Sequence, residues 1–138
     1  MKQHLAAKAF IVHDGKVLIL REAPGYRGGT NIGKYDFPGG KINPGEHYED
    51  GLKREVREES GLSIDIGRPF FTAEWRPKLP GEELQIIGIF FECSTDAEEV
   101  VLEPSYDDFQ WIDPGQHRQF DLITVNHEVF EAYCLYIK

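Results

Sequence analysis

The segment Gly39–Leu62, GGKINPGEHYEDGLKREVREESGL, constrains this chain more than any other part of it. Pro38-Gly39-Gly40 ends a short β-prone stretch that begins at Tyr35. The periodicity then predicts a helix whose body runs from Tyr48 to Ser60, with Gly61 as its stop. Tyr48, Leu52 and Val56 recur every four residues and predict its apolar stripe. A helix with one apolar stripe must lay that stripe on something, and the flanking sequence offers strands.

Leu5–His13 and Lys16–Arg21 are apolar and β-prone, and Asp14-Gly15 between them predicts a tight hairpin. The apolar start of the chain is interrupted by Lys8. Ala23–Lys34, with Pro24, Gly25, Gly28, Gly29 and Gly33, reads as a mobile loop. Leu62–Ile66, Phe70–Trp75 and Phe109–Ile112 read as strands, and Leu84–Cys93 as a buried one. Pro77, Pro80 and Gly81 make Arg76–Glu83 a turn. Val125–Ile137 has helical spacing at Val129, Tyr133 and Tyr136. With no internal repeat and no linker, residues 1–138 read as one domain of the α+β class. The expected architecture is an α/β/α sandwich, a mixed sheet with a mid-chain helix and a C-terminal helix packed on it.

The charge balance of 15 Lys+Arg against 24 Asp+Glu, net −9, disfavours a nucleic-acid polymer or an anionic membrane as partner. A polyanionic substrate would need positive charge supplied locally. Cys93 and Cys134 form no disulfide framework, which predicts free thiols and a reducing, cytoplasmic setting. The N-terminus has no signal-peptide core, and Ile86–Phe91 is too short to span a bilayer.

Glu55, Glu58 and Glu59 are spaced i, i+3 and i+4 on the helix, so their carboxylates are expected on one face. Adjacent carboxylates repel and resist desolvation, and a hard cation relieves both problems. Oxygen ligands select Mg²⁺, with Mn²⁺ as a substitute. The same run, with Arg54 and Arg57 interspersed, also fits a solvated helix face laced with ion pairs. The flanks shift the balance toward a site, because a glycine loop feeding a helix N-terminus suits phosphate.

From Gly40 the pattern is five residues, Glu46, seven residues, then Arg54-Glu55-Val56-Arg57-Glu58-Glu59-Ser60-Gly61-Leu62. Across residues 40–62 this resembles the Nudix box at every specified position, a match expected by chance roughly once in 10⁸ starting points. The surroundings resemble a minimal Nudix domain of the MutT-like type. The resemblance implies hydrolysis of a diphosphate linkage in a nucleoside diphosphate joined to a group X. A (d)NTP or modified NTP giving nucleoside monophosphate and pyrophosphate is the expected reaction. It implies metal held by Glu55, Glu58 and Glu59 with the Gly39 carbonyl, and Glu55 as the base, although other subfamilies take the base from a loop after the box. Arg54 would orient its glutamate neighbours, and Glu46 would support the loop–helix geometry. Glu103 and Asp107 are the candidates for an extra metal-binding loop carboxylate, in a stretch from Glu92 to Asp108 with seven acids and no Lys or Arg.

Lys16, Arg21, Arg27, Lys34 and Lys41 make a basic stretch suited to phosphate, with Arg21 and Lys41 the foremost candidates. Asn126 lies where MutT-like enzymes carry a purine-reading asparagine, but an asparagine there also serves as a helix cap. Phe71, Trp75 and Phe91 can stack a base or fill a core. Pro77 lies near the place of a proline in the ADP-ribose-cleaving subfamily, and turn chemistry explains it as well. Alternative substrates are ADP-ribose or nucleotide sugars and dinucleoside polyphosphates. An alternative of another class is a noncatalytic nucleotide sensor, although such domains usually lose box glutamates that this chain keeps. An isoprenoid-diphosphate isomerase would need residues outside the box, and neither cysteine has a supporting motif. The resemblance admits a monomer or a homodimer.

Overall fold

The structure is a computed structural model that describes residues 1–24 and 31–136. Arg27 and the glycines at 25, 28 and 29 of the expected loop lie outside the described residues, as does the end of the C-terminal helix at 137. Eight strands and two helices follow in order: β1 (Lys2–His13), β2 (Lys16–Glu22), β3 (Tyr35–Asp36), β4 (Gly39–Lys41), α1 (Tyr48–Ser60), β5 (Asp65–Trp75), β6 (Lys78–Leu79), β7 (Glu82–Ser94), β8 (Tyr106–Ile112) and α2 (Thr124–Tyr136). A short 3₁₀ segment, Pro114–Gln119, precedes α2.

The hairpin turns where it was expected. Asp14 and Gly15 both take positive φ, 50° and 75°, which suits the tightest hairpin turn. β1 and β2 pair only beside that turn, at Val12↔Val17 and His13↔Lys16. They then diverge, and residues 35–41 fill the gap. β3 pairs with β2 through Leu20↔Asp36, and β4 pairs with β1 through Lys8↔Gly39. The single strand expected over Tyr35–Pro38 is therefore two, because the segment crosses between partners. β1 also runs parallel to β7 along Lys2–Val12, and β5 pairs antiparallel with β7. The two strand runs expected between Leu62 and Trp75 form one strand, kinked around Pro69, and Leu62 and Ile64 precede it as core residues. The expected turn at Arg76–Glu83 contains the two-residue strand β6, which pairs back on β7.

Strand alternation sorts the apolar residues onto two faces. Ala7, Ala9, Ile11, Leu18 and Leu20 join Leu52 and Val56 of α1. Phe10, Val17, Ile19, Phe37 and Phe90 join Val129, Phe130 and Tyr133 of α2. The sheet thus lies between its helices, as the α+β sandwich requires. Two details depart from the periodicity. Tyr48, at the first turn of α1, is exposed and lies flat on Phe91 at 5.2 Å instead of entering the core. Tyr136, one turn beyond the buried Tyr133, is likewise exposed. Among the described residues no helix is long and apolar enough to cross a membrane.

Candidate active site

α1 begins without a side-chain cap and ends where the Gly61 N–H bonds the Arg57 carbonyl, 2.9 Å away. Its last two turns carry the three glutamates, and their carboxylates differ in burial. Glu59 turns inward and is buried. Its Oε1 accepts the Gly39 N–H at 2.7 Å, and its Oε2 accepts the Tyr106 hydroxyl at 2.7 Å. Burial pushes its pKa up to about 7, against the opposing pull of Lys8 and these two donors. Glu55 is half-buried, and burial raises its pKa, opposed by Arg54 and reinforced by Glu58 and Glu103. Glu58 stands furthest out, with its side chain 54% exposed. The single face expected from spacing is therefore a graded row, from a buried to a solvated carboxylate.

Arg54 ties this row to the loop. Its Nε and Nη2 donate to the two Glu46 oxygens at 3.1 Å each, and its Nη1 donates to Glu55 Oε1 at 3.2 Å. Glu58 Oε1 lies 3.6 Å from Nη1. Glu46 also accepts the Asn43 N–H at 3.1 Å, so it stiffens the loop that enters the helix. The glycines before the helix are required by space. Gly39 has φ 130°, and a Cβ there would fall 2.3 Å from the Ala7 carbonyl oxygen. A Cβ on Gly40 would fall 3.2 Å from the Glu55 carboxyl carbon, so its absence keeps that carboxylate accessible.

Lys8, whose charge reaches Glu59, also lines a cavity of about 840 Å³, between the start of α2, the β5–β6 turn and β7. Lys8, Asp36 and Asn126 form its polar floor, Trp75 and Phe90 supply aromatic wall, and Lys34, Arg76 and Lys78 bring positive charge. Asp36 organises the floor. Its Oδ2 takes Lys8 Nζ at 3.0 Å, and its Oδ1 takes Asn126 Nδ2 at 2.9 Å and the Phe37 N–H at 2.8 Å. Asn126 therefore bonds across to β3 rather than capping its own helix. Phe71 packs on Phe90 at 5.8 Å and serves the core, whereas Trp75 lines the cavity. Pro77 belongs to both the turn and the cavity wall.

The remaining expected residues separate. Arg21 and Asp107, expected to act on phosphate and metal respectively, bond each other, Nε to Oδ1, at 2.7 Å. Lys41 lines a different hollow, of about 590 Å³, with Lys2, His4 and Glu46. Glu103 accepts the Ser105 hydroxyl, and its charge is felt by both Glu55 and Tyr106. Sequence reasoning missed Tyr106, whose strand was expected to begin only at Phe109. It also gave no role to Lys8 and Asp36. A lysine inside an apolar strand run was the available signal for Lys8, since a lysine is rarely buried without a partner.

Oxygen donors of graded burial beside a missing Cβ can hold a hard divalent cation. A nearby cationic and aromatic cavity can hold a phosphorylated, planar compound. The model of the NUDIX domain matches residues 2–133. The chain belongs to the NUDIX family. It is 31% identical over 129 residues to the nucleoside triphosphatase NudI of Escherichia fergusonii, covering 88% of this chain and 90% of that protein. Its fold matches the crystal structure of the MutT protein from Methanosarcina mazei with a TM-score of 0.84 and 28% identity, over 99% of this chain and 96% of that one. It also shares the fold of the NUDIX domain of Shewanella oneidensis NrtR, solved with ADP ribose, at a TM-score of 0.73 and 18% identity, over 100% and 90% of the chains. As a Nudix hydrolase of the MutT-like type, this protein is a pyrophosphohydrolase that acts on nucleotides.

Proposed function

We propose that this enzyme hydrolyses a nucleoside triphosphate, or a modified one, to the nucleoside monophosphate and pyrophosphate, with Mg²⁺ as its metal and Mn²⁺ as a substitute. The observation that carries this reading is the row of Glu55, Glu58 and Glu59 beside the gap at Gly40, linked through Lys8 to a cavity sized for a nucleotide. The donor set fits a hard cation, since it is all oxygen. Glu55, Glu58, Glu59 and the Gly39 carbonyl would hold the metal, with Glu103 the loop carboxylate whose charge reaches Glu55. When bound, the metal supplies a clamp on phosphoryl oxygens and lowers the pKa of a water.

The chain's own residues do the rest. Glu55 takes the proton of the attacking water, because it is the half-buried carboxylate next to the gap. Arg54, anchored by Glu46, holds Glu55 and Glu58 in place. Lys34, Arg76 and Lys78 meet the phosphates. Asn126, oriented by Asp36, reads the base edge while Trp75 covers its face. Cys93 and Cys134 are free thiols, which supports a reducing cytoplasm.

The test is turnover by the purified protein with Mg²⁺ against (d)NTPs, oxidised dGTP, ADP-ribose, nucleotide sugars and dinucleoside polyphosphates, resolved by chromatography. Chelator-sensitive release of a nucleoside monophosphate and pyrophosphate from a triphosphate is expected. Faster cleavage of ADP-ribose or of a dinucleoside polyphosphate would replace the substrate class. No turnover on any member, with the metal shown to bind, would overturn the reading.

A further inference from the structure

A second group of ligand side chains lies at the turn of the β1–β2 hairpin, away from the glutamate helix. His13 closes β1, Asp14 opens the turn, and Glu98 lies on the connection from β7 to β8. One ligand atom from each lies within 4.8 Å of the others, and no other group of three among the described residues does so. The imidazole is held from outside the group. Its Nδ1 lies 2.9 Å from the Thr95 carbonyl oxygen, so that nitrogen carries the proton and donates it. Nε2 then faces Asp14 Oδ2 across 3.5 Å. A positive centre, a proton or a cation, suits the space between them. Glu98 is pinned from a third element, because Trp111 Nε1 donates to its backbone oxygen at 3.0 Å. The Trp111 ring also lies 5.9 Å from the His13 ring.

We propose that His13, Asp14 and Glu98 form a second cation site, separate from the catalytic carboxylates and selective for a borderline transition ion such as Zn²⁺ or Ni²⁺. One imidazole with two carboxylates suits such ions, whereas Mg²⁺ prefers oxygen throughout. Tetrahedral Zn²⁺ sets its ligand atoms about 3.4 Å apart. Asp14 and Glu98 are both exposed and close that distance by side-chain rotation, with water completing the shell. The backbone hydrogen bond to Nδ1 is the outer contact that fixes ring orientation in metal-binding histidines. Binding here ties the β7–β8 connection, which runs on to Glu103, to the hairpin turn.

The test uses the full chain with Mg²⁺ in excess, so that the glutamate site is occupied. Equilibrium dialysis with Zn²⁺ gives the stoichiometry, and Ni²⁺ quenching of tryptophan fluorescence reports proximity to Trp111. Asp14→Asn keeps a residue that accepts positive φ, and His13→Gln keeps a donor for Thr95. One retained Zn²⁺ per chain is expected, with affinity about tenfold weaker in Asp14→Asn and about a hundredfold weaker in His13→Gln. Mg²⁺-supported turnover stays unchanged in both. Zn²⁺ should raise the thermal midpoint of the unsubstituted protein more than that of either variant. An unsubstituted chain that retains no Zn²⁺, with a proton alone filling the position, would overturn the proposal. Zn²⁺ affinity in both variants equal to that of the unsubstituted chain would overturn it too, by placing the ion on other residues.

Discussion

Glu59 shows how much one residue type can vary with its surroundings. Its neighbours Glu55 and Glu58 belong to the same helix, yet only Glu59 is enclosed, with both oxygens engaged by Gly39 and Tyr106. Glu59→Gln keeps the shape and the bond from Gly39, and it removes the charge that a cation needs. Turnover with Mg²⁺ should fall about a hundredfold or more, while the urea unfolding midpoint stays level or rises. Near-normal turnover in that variant would remove Glu59 from the metal site. Gly39 is confined in another way. Its positive φ and the 2.3 Å at which a Cβ would meet the Ala7 carbonyl oxygen explain why no side chain can stand where the strand hands over to the loop.

At the scale of elements, α1 holds the site by burying Leu52 and Val56 completely, and Tyr48 only caps the end of the stripe. Leu52→Ala should therefore cost about 2–5 kcal/mol in urea unfolding, and Tyr48→Ala clearly less. Equal losses would show that the stripe extends as its spacing suggests. The 3₁₀ segment docks on α2 through His117, whose Nδ1 lies 2.9 Å from His127 Nδ1 and whose ring stacks on Phe130. One of those nitrogens must donate and the other accept, so protonating both breaks the contact. Burial, then His127 and Arg118, hold the His117 pKa below its ordinary 6.5, with Glu131 opposing. The unfolded chain then binds the proton first as pH falls. Stability is full above about 6.5 and declines as pH drops from there to the depressed folded value. Urea midpoints measured across that window should slope less for His117→Gln than for the unsubstituted chain. Parallel slopes would mean that other groups set the acid sensitivity.

Across the whole molecule, the carboxylate row and the cavity are joined by Lys8. Its ammonium bonds Asp36 on the cavity floor, and its charge reaches buried Glu59. Removing one member of a buried pair leaves the other uncompensated, at about 3–5 kcal/mol, and the 25% exposure of the Asp36 side chain puts this pair at the low end. Lys8→Met should lower the unfolding free energy by about 3 kcal/mol. It should also raise KM, because Asp36 loses the partner that helps it position Asn126. An unchanged urea midpoint with an unchanged KM would show that the two parts of the site stand independently.

The residues of the glutamate helix were legible in sequence because helix spacing is local. An i, i+3, i+4 pattern and a glycine stop depend on neighbours a turn away, and α1 spans Tyr48–Ser60 as its periodicity requires. The hairpin at Asp14-Gly15 and the alternation that divides two cores are local for the same reason. Partnerships between distant segments are not local. Tyr106 meets Glu59 across 47 positions, and Asn126 meets Asp36 across 90. No short-range pattern records such pairs, so only the folded chain shows Arg21 engaged with Asp107 and Lys41 turned to another hollow. The sequence by itself determined the two helices, the β1–β2 hairpin and the carboxylate row. Tertiary structure decided which carboxylate is buried and which cations face the cavity, because burial and charge pairing are set by what the fold brings alongside.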